Sequence, residues 1–201
     1  MTTFLVLALL AAGQAVAAPA ARPAPPRPGL SWEEADALAV KLDALDKRQK
    51  DGKTARAETV TVSEGELNSY VNLKAKIPDG VSDIEVHLDR DRAAATALVD
   101  LDRVQGKPPS STWSPFNLLA GRVAVAVRGK LMAKDEGFAA VEIEEVHLGA
   151  MPVPSSALEQ LVMAATRNKD NPQGVDILSP FRLPYTMKRV RLQPGRALLD
   201  F

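Results

Sequence analysis

The sequence predicts an α+β fold: a strongly curved antiparallel sheet of hairpins wrapping amphipathic helices. Three observations carry this. Runs with two-residue alternation recur between tight turn signals, which makes neighbouring strands antiparallel. Segments with helical spacing interrupt those runs instead of alternating one for one with them. The apolar alternation also slips phase twice, at Glu144-Glu145 and between Met187 and Val190. A slip of one position implies a bulge, and bulges sharpen twist.

The elements follow in order. Phe4 to Ala12 is an uninterrupted apolar run, too short to span a bilayer. Ala15-Val16-Ala17 fits a small-residue cleavage site, so residues 1–17 read as a secretory signal peptide. No Lys or Arg precedes the run, a departure from the usual pattern. Residues 18–30 form a linker with five prolines. Residues 31–52 read as a helix. Ser31 caps it, Glu33, Glu34 and Asp36 occupy the first turn, and Lys47, Arg48 and Lys50 close the last. Its stripe, Ala35, Leu38, Leu42 and Leu45, is narrow, which suits packing on the body from outside or on a partner.

The main domain is expected over 56–201. A strand over 56–62 runs into Ser63-Glu64-Gly65-Glu66-Leu67-Asn68. There Ser63 and Glu66 fit a capping box, and Val62 and Leu67 a hydrophobic staple. Leu67, Tyr70 and Val71 share one face of the helix that follows. Residues 81–104 read as a hairpin turning near Asp89 to Arg92. Ile84, Val86 and Leu88 lie on one side and Glu85, His87 and Asp89 on the other. On the return, Ala95, Ala97, Val99 and Leu101 share a face. A Pro-rich loop over 106–120 carries Trp113 and Phe116. A second hairpin turns at Lys134 to Gly137, with Val123, Val125, Val127 and Leu131 alternating before it. Residues 155–168 read as a helix with its own capping box, Ser156 and Glu159, and the stripe Leu158, Leu161, Val162 and Ala165. Leu183, Tyr185 and Met187 alternate as a strand. A last hairpin turns at Pro194-Gly195.

Composition narrows the function. Lys plus Arg equals Asp plus Glu, 25 each, which argues against a nucleic-acid binder. The chain has no cysteine, so thiol catalysis and a lipid-modified cysteine are excluded. There is no Gly-x-Ser-x-Gly elbow and no phosphate-binding Gly-rich loop. No catalytic residue and no cofactor is expected. Two identical tetrapeptides, Glu85-Val86-His87-Leu88 and Glu145-Val146-His147-Leu148, place each Glu on the face of its His. Were the two strands neighbours, these four side chains would offer a metal site. A solvated strand face explains them as well.

The layout from Ala57 onward resembles secreted bacterial lipid-binding families, the LmeA-type (DUF2993) and YceB-like (DUF1439) proteins of the tubular lipid-binding, SMP-like group. The carrying residues are Thr59 to Val62 running into Ser63 to Asn68, the two hairpins, Leu148 to Pro154, and Leu183-Pro184-Tyr185 to Leu199. The resemblance implies a curved sheet around a helix and an apolar groove for acyl chains. It gives no place to the helix over 31–50, and the cysteine of lipoprotein members is missing.

The expectation is therefore a secreted, periplasmic, non-catalytic lipid carrier. Leu67, Tyr70, Val71, Leu158, Leu161 and Val162 would border the groove. Lys188, Arg189 and Arg191 would meet a lipid headgroup or touch a membrane surface, with Trp113 and Phe116 at a loop tip. The alternative is a cell-envelope interaction module with a solid core, docking a protein partner through the helix at 31–52.

Overall fold

The computed structural model describes residues 28–50, 58–77, 79–104, 121–154 and 179–201. The expected signal peptide, the Pro-rich loop with Trp113 and Phe116, and the helix at 155–168 lie outside the described residues.

The fold is α+β, with a curved antiparallel sheet. Helix α1 is Trp32–Lys50, β1 is Thr59–Ser63 and α2 is Glu64–Leu73. The first hairpin is β2, Val81–Asp89, and β3, Arg92–Asp100, followed by the short α3, Leu101–Val104. The second is β4, Arg122–Ala133, and β5, Phe138–Leu148. Then come β6, Met151–Pro152, β7, Phe181–Arg182, β8, Arg189–Gln193, and β9, Arg196–Asp200. The large sheet runs β2-β3-β4-β5-β6, with β7 also on β5, and a small sheet runs β1-β9-β8.

The expected bulge falls where the phase slips. Arg128 pairs with Glu145 and Gly129 with Ile143, so Glu144 is the extra residue. Gly129 is required there. A Cβ on it would stand 2.9 Å from the Glu142 carbonyl oxygen and 3.1 Å from Val141 Cγ1. A second bulge, not evident from alternation, sits in β2 between Ser82 and Glu85, where Asp83 is left-handed at φ 54°.

Two sequence readings are corrected. Leu101 does not extend β3: the Asp100 carboxylate accepts the Asp102 N–H and starts α3 instead. Residues 183–187 are not a strand. Tyr185 and Thr186 are both left-handed, φ 56° and 58°, and the Met187 N–H donates to the Pro184 carbonyl, which makes a tight turn. The turn still sends Leu183 and Met187 into the core, so the residues were chosen for burial without being strand. Helix α1 packs on the body, one of the two placements that its stripe suits. Leu38, Leu42 and Leu45 belong to the main core cluster together with Val71, Val86 and Leu88.

The seam between α1 and α2 is polar at its ends. Ser69, fully buried, accepts the Ser31 N–H at 3.0 Å and donates to Glu34 at 3.0 Å. Lys41 pairs with Glu66 at 2.6 Å, and Lys74 with Asp36. Glu66 closes the predicted capping box as well, accepting the Ser63 N–H at 2.9 Å while Ser63 accepts the Glu66 N–H at 3.1 Å.

Helix α2 then seals the free edge of β2. The Glu64 carboxylate accepts the Leu88 N–H at 2.7 Å. The Asn68 amide accepts the Val86 N–H at 2.7 Å and donates to the Val86 carbonyl at 2.8 Å. Asn72 does the same to Ile84, at 3.2 and 2.6 Å. Four residues of helix rise about 6 Å and two residues of strand about 6.8 Å. Residues 64, 68 and 72 therefore keep step with 88, 86 and 84. The helix acts as a neighbouring strand, using side-chain amides in place of peptide groups, and leaves those backbone groups satisfied.

Candidate functional site: an apolar cleft between the sheets

Strand β8 crosses the tips of both hairpins. The Asp91 N–H donates to the Leu192 carbonyl, the Gly195 N–H to the Leu88 carbonyl, and the Gly137 N–H to the Lys188 carbonyl. The small sheet thus stands over one end of the large sheet's apolar face. Between them lies a partly open cleft of about 110 Å³. Every described residue lining it is Ala, Val, Leu, Ile or Gly.

The hollow follows from side-chain size and register. Ala93 pairs with Gly129 across β3 and β4, and Ala95 with Val127. Ala93 also faces Leu88 on β2. The centre of the sheet therefore carries little side-chain volume, while the edges carry Leu and Val. The small sheet contributes Val190, Leu192, Ala197 and Leu199, and α2 contributes Leu67. No acid, base, nucleophile or hydrogen-bonding side chain reaches this surface among the described residues. Such a surface offers only apolar contact and exclusion of water.

Of the expected groove residues, Leu67 lines the cleft. Tyr70 and Val71 are buried beside it, in the core between α1, α2 and the large sheet. Burial pushes the Tyr70 hydroxyl up from its ordinary value, and the nearby Asp43 charge adds to the effect. Leu158, Leu161 and Val162 lie outside the described residues. Sequence reasoning passed over Ala93 and Gly129, and read Ala95 as one residue of the apolar strand face. The available signal was a run of three alanines, Ala93 to Ala95, in a strand where larger β-formers are usual.

The cationic candidates separate. Arg191 is held in a two-pronged pair with Asp200, at 2.8 and 2.9 Å, and is not free for a headgroup. Lys188 and Arg189 line a polar pocket beside the cleft.

The metal arrangement does not form. His87 lies on β2 and His147 on β5, with β3 and β4 between them, about 14 Å apart at normal strand spacing. His87 faces Glu64 at 3.1 Å, and His147 pairs with Glu145 at 2.7 Å. That contact holds the Glu145 carboxyl below its ordinary range, with Arg128 helping. Glu85 is exposed on the outer face of β2. No group of three or more metal-ligating side chains gathers among the described residues.

No helix among the described residues is long and apolar enough to cross a membrane. No protein-family model, no curated protein and no solved structure matches the chain.

Proposed function

We propose that this protein is a non-catalytic carrier or binder of an alkyl-chain ligand, taken up between its two sheets. One observation carries the reading: a wholly apolar, partly open cleft framed by Ala93, Ala95 and Gly129 at the centre of a sheet. A dry apolar cavity of about 150 Å³ is enough to hold benzene. A cleft of about 110 Å³ suits the end of a chain, not a whole lipid. The half-buried Leu131, Val141 and Ile143 of its lining would flank that end. Each methylene withdrawn from water contributes about 0.8 kcal/mol, so a few carbons give measurable affinity. The expected secretion signal fits a carrier that works in the bacterial envelope.

Docking of a protein partner through α1 has less support. Its apolar stripe already covers the core. Only Val40 stands out as a large exposed apolar side chain on that helix.

Native mass spectrometry of protein purified without detergent tests the reading, before and after organic extraction. Near-stoichiometric lipid, or uptake of added fatty acid, is expected for the wild type. Ala93→Leu puts three more carbons into the cleft and should abolish uptake without lowering the melting temperature. An apo mass that takes up nothing, or unchanged uptake by a folded Ala93→Leu, would sink the proposal.

A further inference from the structure

We propose that the outer face of the small sheet docks this protein on a membrane surface carrying anionic lipid. The inference rests on strand register and charge, and does not need the cleft to hold a ligand.

Register and alternation fix the two faces of the β1-β9-β8 sheet. Val190, Leu192, Ala197 and Leu199 point to the cleft. Their neighbours Arg189, Arg191, Arg196, Leu198 and Asp200 therefore point the other way. Three arginines share this face with one carboxylate. Arg191 pairs with Asp200 at 2.8 and 2.9 Å, and the Arg189 charge also acts on it, but one carboxylate offsets only one of the three cations. Arg196 donates to the neutral Gln193 at 2.9 Å. On β1 the face carries Thr59, Thr61 and Ser63, none of them charged. The border adds no charge: Arg48 pairs with Glu58, and Lys134 and Lys188 offset Asp135 and Glu136. Two positive charges are left over.

The excess is local. Over 181–201 basic residues outnumber acidic ones five to one, whereas over the remaining described residues acids outnumber bases twenty to thirteen. A membrane, being flat, touches one face at a time. The exposed Glu85, Glu142 and Glu145 lie on the outer face of the large sheet, behind two sheets that pack about 10 Å apart. That is a Debye length or more from the docked surface, so their repulsion is screened while the arginines are in contact. A soluble polyanion can wrap the protein and meet the acidic remainder as well. Leu198, half-buried in the middle strand between Thr61 and Arg191, gives the face an apolar centre ringed by charge. That pattern suits headgroups with hydrocarbon beneath them.

The test is flotation with vesicles of phosphatidylcholine alone and of phosphatidylcholine mixed with phosphatidylglycerol. Each cation near an anionic leaflet contributes about fivefold to binding, so two should favour the mixed vesicles about twentyfold. The preference should fall with added salt. Arg189→Gln combined with Arg196→Gln should remove it without lowering the melting temperature, and each single variant should lose about fivefold. Lys76→Gln combined with Arg122→Gln changes the net charge equally elsewhere and should keep it. Ala93→Leu, which alters only the cleft, should bind the mixed vesicles as the wild type does. Equal binding to both vesicles, or binding to neither, would overturn the proposal. Equal loss in the Lys76 and Arg122 variant would overturn it too, since bulk charge and not this face would then be at work. Heparin bound as tightly as the mixed vesicles would assign the face to a soluble polyanion instead. Loss of vesicle binding by a folded Ala93→Leu would move the contact from this face to the cleft.

Discussion

The two ends of the large sheet's apolar face are finished in opposite ways. At the β2 edge, α2 sits close, Val86 and Leu88 are almost fully buried, and the edge groups of three alternate residues are met by Glu64, Asn68 and Asn72. Over β3, β4 and β5, Ala93, Ala95, Val127, Leu131 and Ile143 are only half-buried, and the space above them is the cleft. The first region is matched polar group to polar group and volume to volume. The second is short of side-chain volume and, among the described residues, has no polar side chains to match. A protein selected only for stability would gain by filling the second region. Leaving it hollow while the other edge is sealed so completely is what the proposed binding site would require.

The largest effect should come from breaking the sealed edge. Asn68→Leu keeps a similar bulk but strips partners from both the N–H and the carbonyl of Val86. Each unsatisfied buried backbone group costs roughly 1–3 kcal/mol. The site is partly buried, so a loss of about 2–4 kcal/mol is expected in urea unfolding. If stability changes by less than about 0.5 kcal/mol, water reaches this edge and the contrast between the regions is smaller than drawn.

A smaller effect is expected on the hollow side. Gly129→Ala places a methyl 2.9 Å from a backbone carbonyl that the Glu144 bulge holds in place. Overpacking of this kind costs roughly 1–3 kcal/mol. Ala93→Leu, on the strand alongside, meets open space and should cost nothing. Unfolding midpoints of the two variants separate an Ala–Gly pair that is hollow by design from one that is merely loose. Equal destabilisation by both would mean the cleft is not free to accept carbon.

Much of this contrast was legible before the structure, but unevenly. The capping box at Ser63 and Glu66, the alternation of Ile84, Val86 and Leu88, and the bulge at Glu144 are local patterns, and each stands where expected. The role of Asn68 and Asn72 was not legible. Helix spacing of four shows that they share a face, but nothing local says that a strand edge lies opposite. Likewise, Ala93 and Gly129 read separately as weak strand residues. Only the register that pairs them turns two small residues into a hollow. The metal arrangement of the histidine tetrapeptides, offered beside a solvated strand face, fails for the same reason: identity in sequence carries no information about the two strands lying between them. Tyr185 shows the converse, since a two-residue period of buried side chains arises from a left-handed turn as readily as from a strand.

The smallest effect concerns the wall that makes the cleft two-sided. Asp200 links all three strands of the small sheet: it accepts from Thr59 on β1 and from Arg191 on β8 while itself lying on β9. The hydrogen bonds from Arg191 hold its carboxyl below the ordinary value of 3.8, with Thr59 and the charge of Arg189 adding to this against some burial. A lowered folded pKa means that the contribution is fully present above the unfolded value and is lost as pH falls through the folded one. Wild type and Asp200→Asn should therefore differ in melting temperature at about pH 7 and converge as the pH falls below the lowered folded value, where both carry a neutral group at this position. The shift should be modest, because Arg191 is exposed to solvent and surface pairs are screened. The asymmetry matters more than its size. If losing this pair loosens the small sheet, ligand uptake should fall before the α2–β2 seam shows any change in amide exchange. A simultaneous loss of protection in Ile84, Val86 and Leu88 would show that the sealed and hollow regions are one cooperative unit.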